Sequence, residues 1–388
     1  YHVTERARQV VNDGMDVVGG KGICLGPSNF MGRAYQQVPI GITVEGANIL
    51  TRSLIIFGQG AIRCHPFLLA EMQAAQNPNL GKGLVDFDKA LWGHIGFTIK
   101  NGLRALWLGM TGSHFAAVNV DTAPEMKRYY QQMTRFSAAF AFLSDISLLV
   151  LGGSVKRREK LSARLGDILS QMYLISCTLK RYEEEGRNAA DAPLAHWAIW
   201  DAMYKAQQAF DGVIANFPVR FIAAFLHRSI FPWGHPYVVP SDDLGHQVAK
   251  SLIAPSATRD RLTAECFLPQ TENEPVGAIE LALIVTLEAE AIEGKIRQAE
   301  KAGRFANNPQ ANVRDIATVA VECGVITAAE YDVMKRRNHL RDIVVRVDDF
   351  PFDYNVATAN KPALERNVPE RRLVEAVVAE HCEVVGHT

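Results

Sequence analysis

Apolar residues recur at steps of four and three along two stretches near the middle of the chain, and this spacing predicts two long helices. In the first stretch the apolar positions are Tyr129, Met133, Phe136, Phe140 and Leu143. In the second they are Leu161, Leu165, Ile168, Met172, Ile175, Leu179 and Tyr182. A Leu-Gly-Gly-Ser turn at 151–154 separates the two, so the pattern indicates antiparallel packing. A third helix is predicted over 193–215, with apolar positions at Trp197, Trp200, Tyr204, Phe210 and Ile214.

The same periodicity extends along most of the chain. Further helices are predicted over 2–19, 29–37, 45–64, 67–76, 86–110, 219–226, 241–253, 275–302, 312–323, 327–341 and 370–382. We expect Pro39 to end the second of these, because a proline inside a helix removes a hydrogen bond. Alternation typical of a strand is confined to 344–347. The pattern predicts an all-α fold built around a helical bundle.

Composition narrows the class of protein. The 388 residues are 48% hydrophobic, enough for a sizeable core, and the net charge of −1 argues against nucleic acid as a partner. The six cysteines are scattered without a Cys-x-x-Cys pair, which favours free thiols in a reducing compartment. No run of 18 apolar residues occurs, since the stretch 136–151 is interrupted by Ser144, Asp145 and Ser147. The first residue is Tyr1, not Met, so we expect the chain to be part of a longer protein.

The carboxylate of Glu45 is predicted at a position that suits catalysis. Glu45 and Gly46 open the apolar pattern that begins near Ile49, so Glu45 is predicted beside the unpaired N–H groups of a helix start. Gly46 lacks a Cβ, which lets a ligand lie close to the backbone. A carboxylate next to backbone donors suits proton removal beside a carbonyl group. The alternative is a glutamate favoured only by the helix dipole.

Three motifs in order suggest a family. They are the Gly-Gly-Lys-Gly turn at 19–22, the Glu45-Gly46 pair, and Arg52 seven positions after Glu45. Together with Ala7 and Arg8, they resemble the end of the catalytic region of acyl-CoA dehydrogenases, in particular the long bacterial fatty-acyl-CoA dehydrogenases. The resemblance implies that residues 1–76 complete a catalytic region and that residues 77–388 form an appended α-helical domain.

The resemblance also implies roles for individual residues. Glu45 would be the base in the FAD-dependent conversion of fatty acyl-CoA to trans-2-enoyl-CoA in β-oxidation, with Gly46 lining the substrate site. Two segments would contact flavin: Asp16, Val17, Val18, Gly19 and Gly20 at the adenine of a neighbouring subunit's FAD, and Ala47, Asn48 and Ile49 beside the diphosphate or ribityl chain. The family usually has Gln at the place of Asp16 and often Thr at that of Ala47. The three glycines could instead serve only to stop a helix.

Partners and location follow from the same resemblance. It implies a fatty acyl-CoA substrate, an acceptor like the electron-transfer flavoprotein and a homo-oligomer in the cytoplasm, with peripheral contact at the inner membrane as an alternative. This chain alone, lacking most of the flavin site, is expected to be inactive. The competing hypothesis is a non-catalytic helical module for self-association, membrane docking or partner docking. We predict no metal site, because the spacings of His227, His235 and His246 match no ligand pattern.

Overall fold

The computed structural model describes residues 1–44, 47–304 and 313–350, and within these ranges it contains helices and loops but no strand. The all-α prediction is therefore confirmed. The helices are α1 (His2–Val18), α2 (Met31–Thr43), α3 (Asn48–Leu50), a π-helix (Thr51–Gln59), α4 (Gly60–Cys64), α5 (Leu68–Ala75), α6 (Leu80–Met110), α7 (Lys127–Leu151), α8 (Glu159–Glu184), α9 (Ala192–Ala215), α10 (Arg220–Ile230), α11 (Asp242–Leu252), α12 (Ala257–Thr263), α13 (Pro275–Lys301), α14 (Val313–Glu322) and α15 (Ala328–Val345).

The chain divides into two compact units. The first comprises the described residues of 1–5 and 40–265, and the second comprises the described residues of 6–39 and 266–350. The core of the first unit lies among α7, α8 and α9, where Leu143, Leu165 and Phe210 have no measurable exposure. The core of the second unit joins α13, α14 and α15 through Ile292, Ala320 and related residues. The predicted boundary near residue 76 separates the end of a catalytic region from an appended domain, not one packed unit from another. It stays a prediction.

The two seams predicted for α7 and α8 form most of the first core. Every predicted apolar position of α8, from Leu161 to Tyr182, is buried, as are Phe136 and Leu143 of α7. The seam predicted for α9 was partly wrong, because Trp197 lies on the flank with 37% of its surface exposed. The buried face of α9 carries Ala202 and Ala206 between larger residues, and small side chains let α8 and α9 approach closely. The tryptophans fit better on the flanks.

Capping side chains explain several helix boundaries that the spacing of apolar residues did not predict. Helix α6 begins at Leu80, six residues before the predicted start, because the Asn79 side chain accepts a hydrogen bond from the N–H of Lys82. Helix α2 continues to Thr43 through Pro39, so the predicted end was wrong there. The preceding turn is exposed, so water can satisfy the carbonyl group that the proline leaves unpaired. The predicted capping box of Thr327 and Glu330 is confirmed.

Some predicted elements end differently or lie elsewhere. Helix α15 runs to Val345, so the alternation at 344–347 does not make a strand. Helix α12, which no apolar pattern indicated, starts where Ser256 accepts a hydrogen bond from the N–H of Arg259. The helix predicted at 370–382 lies outside the described residues.

In the described part of the chain, the helical stretch Pro124–Arg157 is long and apolar enough to cross a membrane by length and composition alone. Its middle is α7, which contributes Phe136 and Leu143 to the first core. Arg135 and Asp145 on the same helix are also buried. A core helix of a bundle accounts for these contacts.

Candidate functional site

The predicted base and its neighbour, Glu45 and Gly46, lie outside the described residues. In the described chain, α2 ends at Thr43 and α3 begins at Asn48. What the structure does show is how the segment after this connection is held.

Asn48 is held by the start of α1. Its side-chain N–H group lies 2.8 Å from the hydroxyl oxygen of Thr4 and 3.1 Å from a carboxylate oxygen of Glu5, and the residue is 7% exposed. These contacts occupy the amide, so the Asn48 side chain is not directed at a ligand. Ile49 next to it is 75% exposed, and Ala47 is half-buried. Of this predicted flavin-contacting segment, the side chain of Ile49 is the most exposed part.

Arg52 forms the main polar contact of the π-helix. Its Nε and Nη2 donate to the two carboxylate oxygens of Asp167 on α8, at 2.7 and 2.5 Å. A planar guanidinium fits a carboxylate in this two-bonded way, which fixes direction as well as distance. The hydrogen bonding that Arg52 donates to Asp167 is the main cause that raises the pKa of Arg52 above its ordinary value. The segment that follows Glu45 is thus joined to the long bundle.

Close packing between α8 and the π-helix supports the same connection. A side chain at Gly166 would approach the carbonyl oxygen of Arg52 to 3.1 Å, so glycine at this position lets α8 lie against the π-helix backbone. On the π-helix itself, Phe57 is 3% exposed and meets the ring of Phe140 edge to face, with ring centroids 6.1 Å apart. A π-helix is an uncommon conformation that occurs often at functional sites.

The second predicted flavin segment is at the end of α1. Asp16, Val17, Gly19 and Gly20 are exposed and Val18 is half-buried, so this turn offers a surface with little of its own packing. Gly19 has a φ of +55°, a conformation that favours glycine and ends the helix. Both the helix-stop interpretation and the cofactor-contact interpretation therefore fit the geometry.

Lys21 holds this turn to the rest of the second unit. Its Nζ donates to the carbonyl oxygen of Val344, at 2.7 Å, near the C-terminal end of α15. A cation suits this end of a helix because the last carbonyl groups lack partners. Burial lowers the pKa of Lys21, and the carboxylate of Asp348 opposes that shift. The contact fixes the turn while leaving Gly19 and Gly20 open.

The sequence analysis missed a buried polar cluster, which we call the His65–Asp145 cluster. His65 Nε2 lies 2.9 Å from Asp145 Oδ1, and the hydroxyl of Thr98 donates to Asp145 Oδ2 at 2.8 Å. His94 joins through Nδ1, 2.8 Å from Glu71 Oε1. The ligand atoms of His65, His94 and Asp145 all lie within 4.8 Å of one another, close enough to consider a metal ion.

Hydrogen bonding argues for a different use of this cluster. His65 Nδ1 accepts the backbone N–H groups of Phe67 and Leu68, at 3.2 and 3.1 Å, at the start of α5. The ring hydrogen of neutral His65 must therefore be on Nε2, where it is donated to Asp145. Metal binding through Nε2 would need that hydrogen moved to Nδ1, against two N–H donors. The cluster is better explained as a connection among α5, α6 and α7.

The histidines considered for metal in the sequence are arranged differently. His235 Nε2 lies 2.8 Å from Asp211 Oδ1, and the ring centroids of His227 and His235 are 5.5 Å apart. Burial raises the pKa of Asp211, and the charge of His235 opposes that shift. His246 is exposed. Among the described residues, only the His65–Asp145 cluster brings three metal-ligating groups together.

The residues that sequence reasoning missed share one property. Asp167 and Asp145 lie on helices more than 75 positions along the chain from their partners Arg52 and His65, at separations of 115 and 80. A polar residue inside an apolar helical seam was the available signal for Asp145, which was noted only as an interruption of a hydrophobic run. The pairing itself depends on tertiary structure.

These observations define a helical protein in which a long bundle holds the segment that follows the predicted base. Residues 62–350 match the family model described as acyl-CoA dehydrogenase, C-terminal, bacterial type. The match covers more than half of the chain, and the chain therefore belongs to the acyl-CoA dehydrogenase family, as its motifs suggested. No solved structure matches it. Members of this family are generally flavin-dependent oxidoreductases, act on acyl-CoA and often assemble as oligomers.

Proposed function

We propose that the chain is the C-terminal part of a dehydrogenase that converts fatty acyl-CoA to trans-2-enoyl-CoA in β-oxidation, in the cytoplasm. The observation that carries this proposal is the family match over 62–350, with the Gly-Gly-Lys-Gly turn at 19–22 and the Glu-Gly pair at 45–46 upstream of it in family order. An acceptor like the electron-transfer flavoprotein would reoxidise the enzyme.

Glu45 is assigned the proton transfer. Its carboxylate would remove the α-proton of the thioester, and its backbone N–H would hold the thioester oxygen as negative charge develops there. Bound FAD supplies the acceptor for the β-hydride. Gly46 would leave room for the thioester beside the backbone.

The described residues fit a cofactor in part. The exposed turn at 16–20 is open to a flavin adenine held by a neighbouring copy, and Ile49 is open beside the second segment. The Asn48 amide does not fit, because Thr4 and Glu5 already occupy it. We therefore assign cofactor contact in the second segment to Ala47 and to the exposed side chain of Ile49.

The appended bundle supports catalysis by holding the segment that carries the base. Arg52 lies seven residues after Glu45, and its partner Asp167 is on α8. This contact favours a structural role for the bundle in turnover over the alternative of a module used only for docking. No contact among the described residues supports the alternative that the protein associates peripherally with the inner membrane.

Flavin reduction tests the proposal directly. In the full-length enzyme loaded with FAD, adding a long-chain acyl-CoA should bleach the flavin absorption band, and Glu45→Gln should slow that step by about 10²–10⁴-fold. The control Glu184→Gln removes an exposed carboxylate of α8 and should bleach at the parent rate. A parent rate in Glu45→Gln would refute the base assignment, and an absence of bleaching in the parent would refute the reaction.

A further inference from the structure

Helix α6 presents an exposed apolar stripe. Val85, Trp92 and Ile99 follow one another at intervals of seven, and their exposed fractions are 67%, 71% and 58%. Leu103 and Trp107 continue the stripe with 65% and 58% exposed. At a rise of 1.5 Å per residue, it runs for about 35 Å along the helix. A repeat of seven is typical of a seam between two helices.

A glycine in the middle of this stripe has no packing reason among the residues that the structure describes. Gly83, Gly93, Gly102 and Gly109 of the same helix each lie where an added Cβ would come within 2.9 Å of another residue. Gly96 is exposed, and nothing lies within 4 Å of the place of its Cβ. Glycine inside a helix is less favourable than alanine because it loses more backbone freedom on folding. Close approach of another backbone would explain it.

Two opposite charges are placed symmetrically about the centre of the stripe. Asp86 and Arg104 are exposed and make no hydrogen bond or ion pair with any described residue. They are eighteen residues apart, which is five helical turns, so they lie on the same side of α6. Each is nine positions from Ile95, next to Gly96. Lys89 and Lys100 on this side are long enough to extend into solvent.

We propose that α6 is a docking surface for a second copy of this chain. In an antiparallel pair with its two-fold axis near Ile95 and Gly96, Asp86 of one protomer faces Arg104 of its partner, and the same contact occurs twice. Docking of a second copy on α6 does not depend on flavin chemistry.

The size of the surface suits a dimer. With about 150–250 Å² for an aromatic side chain and somewhat less for an aliphatic one, the exposed parts of the stripe together with Phe115, stacked on Trp107, present roughly 800 Å². A stable interface buries about 800 Å² on each partner. An anionic lipid surface explains neither the exposed carboxylate of Asp86 nor the open Gly96.

Charge exchange tests the register. In sedimentation equilibrium at low salt, Asp86→Arg and Arg104→Asp should each raise the dimer dissociation constant at least about tenfold, because like charges then face each other. The double variant, which has the parent's net charge, should restore most of the affinity. Exchanging the α8 pair, as Lys180→Glu with Glu184→Lys, is the matched control and should change nothing. Failure of the double variant to recover would overturn the antiparallel arrangement.

Gly96→Ala gives an effect of opposite sign in two measurements. The substitution should raise the thermal midpoint of dilute protein, since alanine favours the helix, yet weaken dimerisation about tenfold by separating the helices. The control Gly294→Ala, in α13, also places a Cβ in open space and should raise the midpoint without affecting association. Equal dimerisation of Gly96→Ala and the parent would overturn the close approach.

The occupant of the stripe is tested separately. A parent chain that stays monomeric at concentrations of tens of micromolar would overturn the proposal, since an interface of this size is expected to be stable there. Flotation with vesicles of phosphatidylglycerol and phosphatidylethanolamine that is lost in Trp92→Ser, with no dimer in solution, would assign the stripe to lipid instead. Dimers that dissociate in Trp92→Ser, with no flotation, would support a second copy.

Discussion

The long bundle and the helices that carry the predicted site differ in how their apolar residues are used. Helices α8 and α9 each bury eleven residues, whereas α1 buries none and α2 buries only Gly32. Burial of apolar surface is the main favourable term in folding, so the bundle can stabilise itself while α1 gains little from the described residues. Stability and the predicted chemistry are therefore located in different helices.

The exposed residues of α1 are regularly placed. Val3, Val10 and Val17 follow at intervals of seven and are 80%, 66% and 87% exposed. Such a stripe suits a surface that another polypeptide covers. It supports the proposal that these helices work as part of a larger dehydrogenase, with the bundle as the self-sufficient part.

The largest expected difference is in the free energy of unfolding, between substitutions at a buried and at an exposed phenylalanine. Phe210→Ala, at a fully buried position, should lower the free energy of unfolding by about 3–5 kcal/mol, because it removes core contacts and leaves a cavity. Phe221→Ala is the matched change at a position 76% exposed and should stay within about 0.5 kcal/mol of the parent. Urea unfolding measures both. Similar values for the two would show that the bundle core is not where stability lies.

The contact between the two regions should have an intermediate effect. Asp167→Asn removes the charge that pairs with Arg52 and should cost about 1–3 kcal/mol, because hydrogen bonds to charged groups contribute that much when partly buried. In the full-length enzyme, it should also slow flavin reduction and leave its pH profile unchanged, as expected for a positioning residue.

The control for this change is on the same helix. Glu184→Gln removes one carboxylate from an exposed ion pair with Lys180 and should alter neither stability nor flavin reduction. Parent-like flavin reduction in Asp167→Asn would show that the bundle does not hold the base, and would favour the docking hypothesis for the bundle.

The sequence predicted helices better than contacts. The buried positions of α8 could be predicted residue by residue. In a long amphipathic helix, the spacing of the apolar residues indicates which face is buried. The face of α9 could not, because alanines determined which side packs closely and the aromatic residues drew attention to the flank. The starts of α6 and α12 depended on single capping side chains, Asn79 and Ser256.

The candidate site shows a similar division. The motif order around Glu45 indicated the family, which the match over 62–350 confirmed. The contacts of Arg52 with Asp167 and of His65 with Asp145 join residues distant in the chain, and no local pattern encodes such pairs. The assignments of Glu45, Gly46 and the flavin segments stay predictions.

The smallest expected effect is a pH dependence inside the bundle. Tyr129 of α7 and His196 of α9 are joined by a hydrogen bond of 2.8 Å between the phenol oxygen and Nδ1. Burial raises the pKa of Tyr129 to about 12, so the phenol keeps its hydrogen at neutral pH. Burial also lowers the pKa of His196 below its ordinary 6.5, and the charge of Glu125 opposes that shift.

The sign follows from proton counting. As the pH falls below about 6.5, the unfolded chain takes up a proton at His196 before the folded chain does, so stability decreases until the pH passes the lowered folded pKa. Above about pH 6.5 the contribution is complete. His196→Gln should therefore lose less stability than the parent in urea unfolding compared at about pH 8 and about pH 5.5. Tyr129→Phe keeps the buried imidazole and should retain most of the dependence, whereas identical pH profiles for His196→Gln and the parent would show that this histidine does not control acid stability of the bundle.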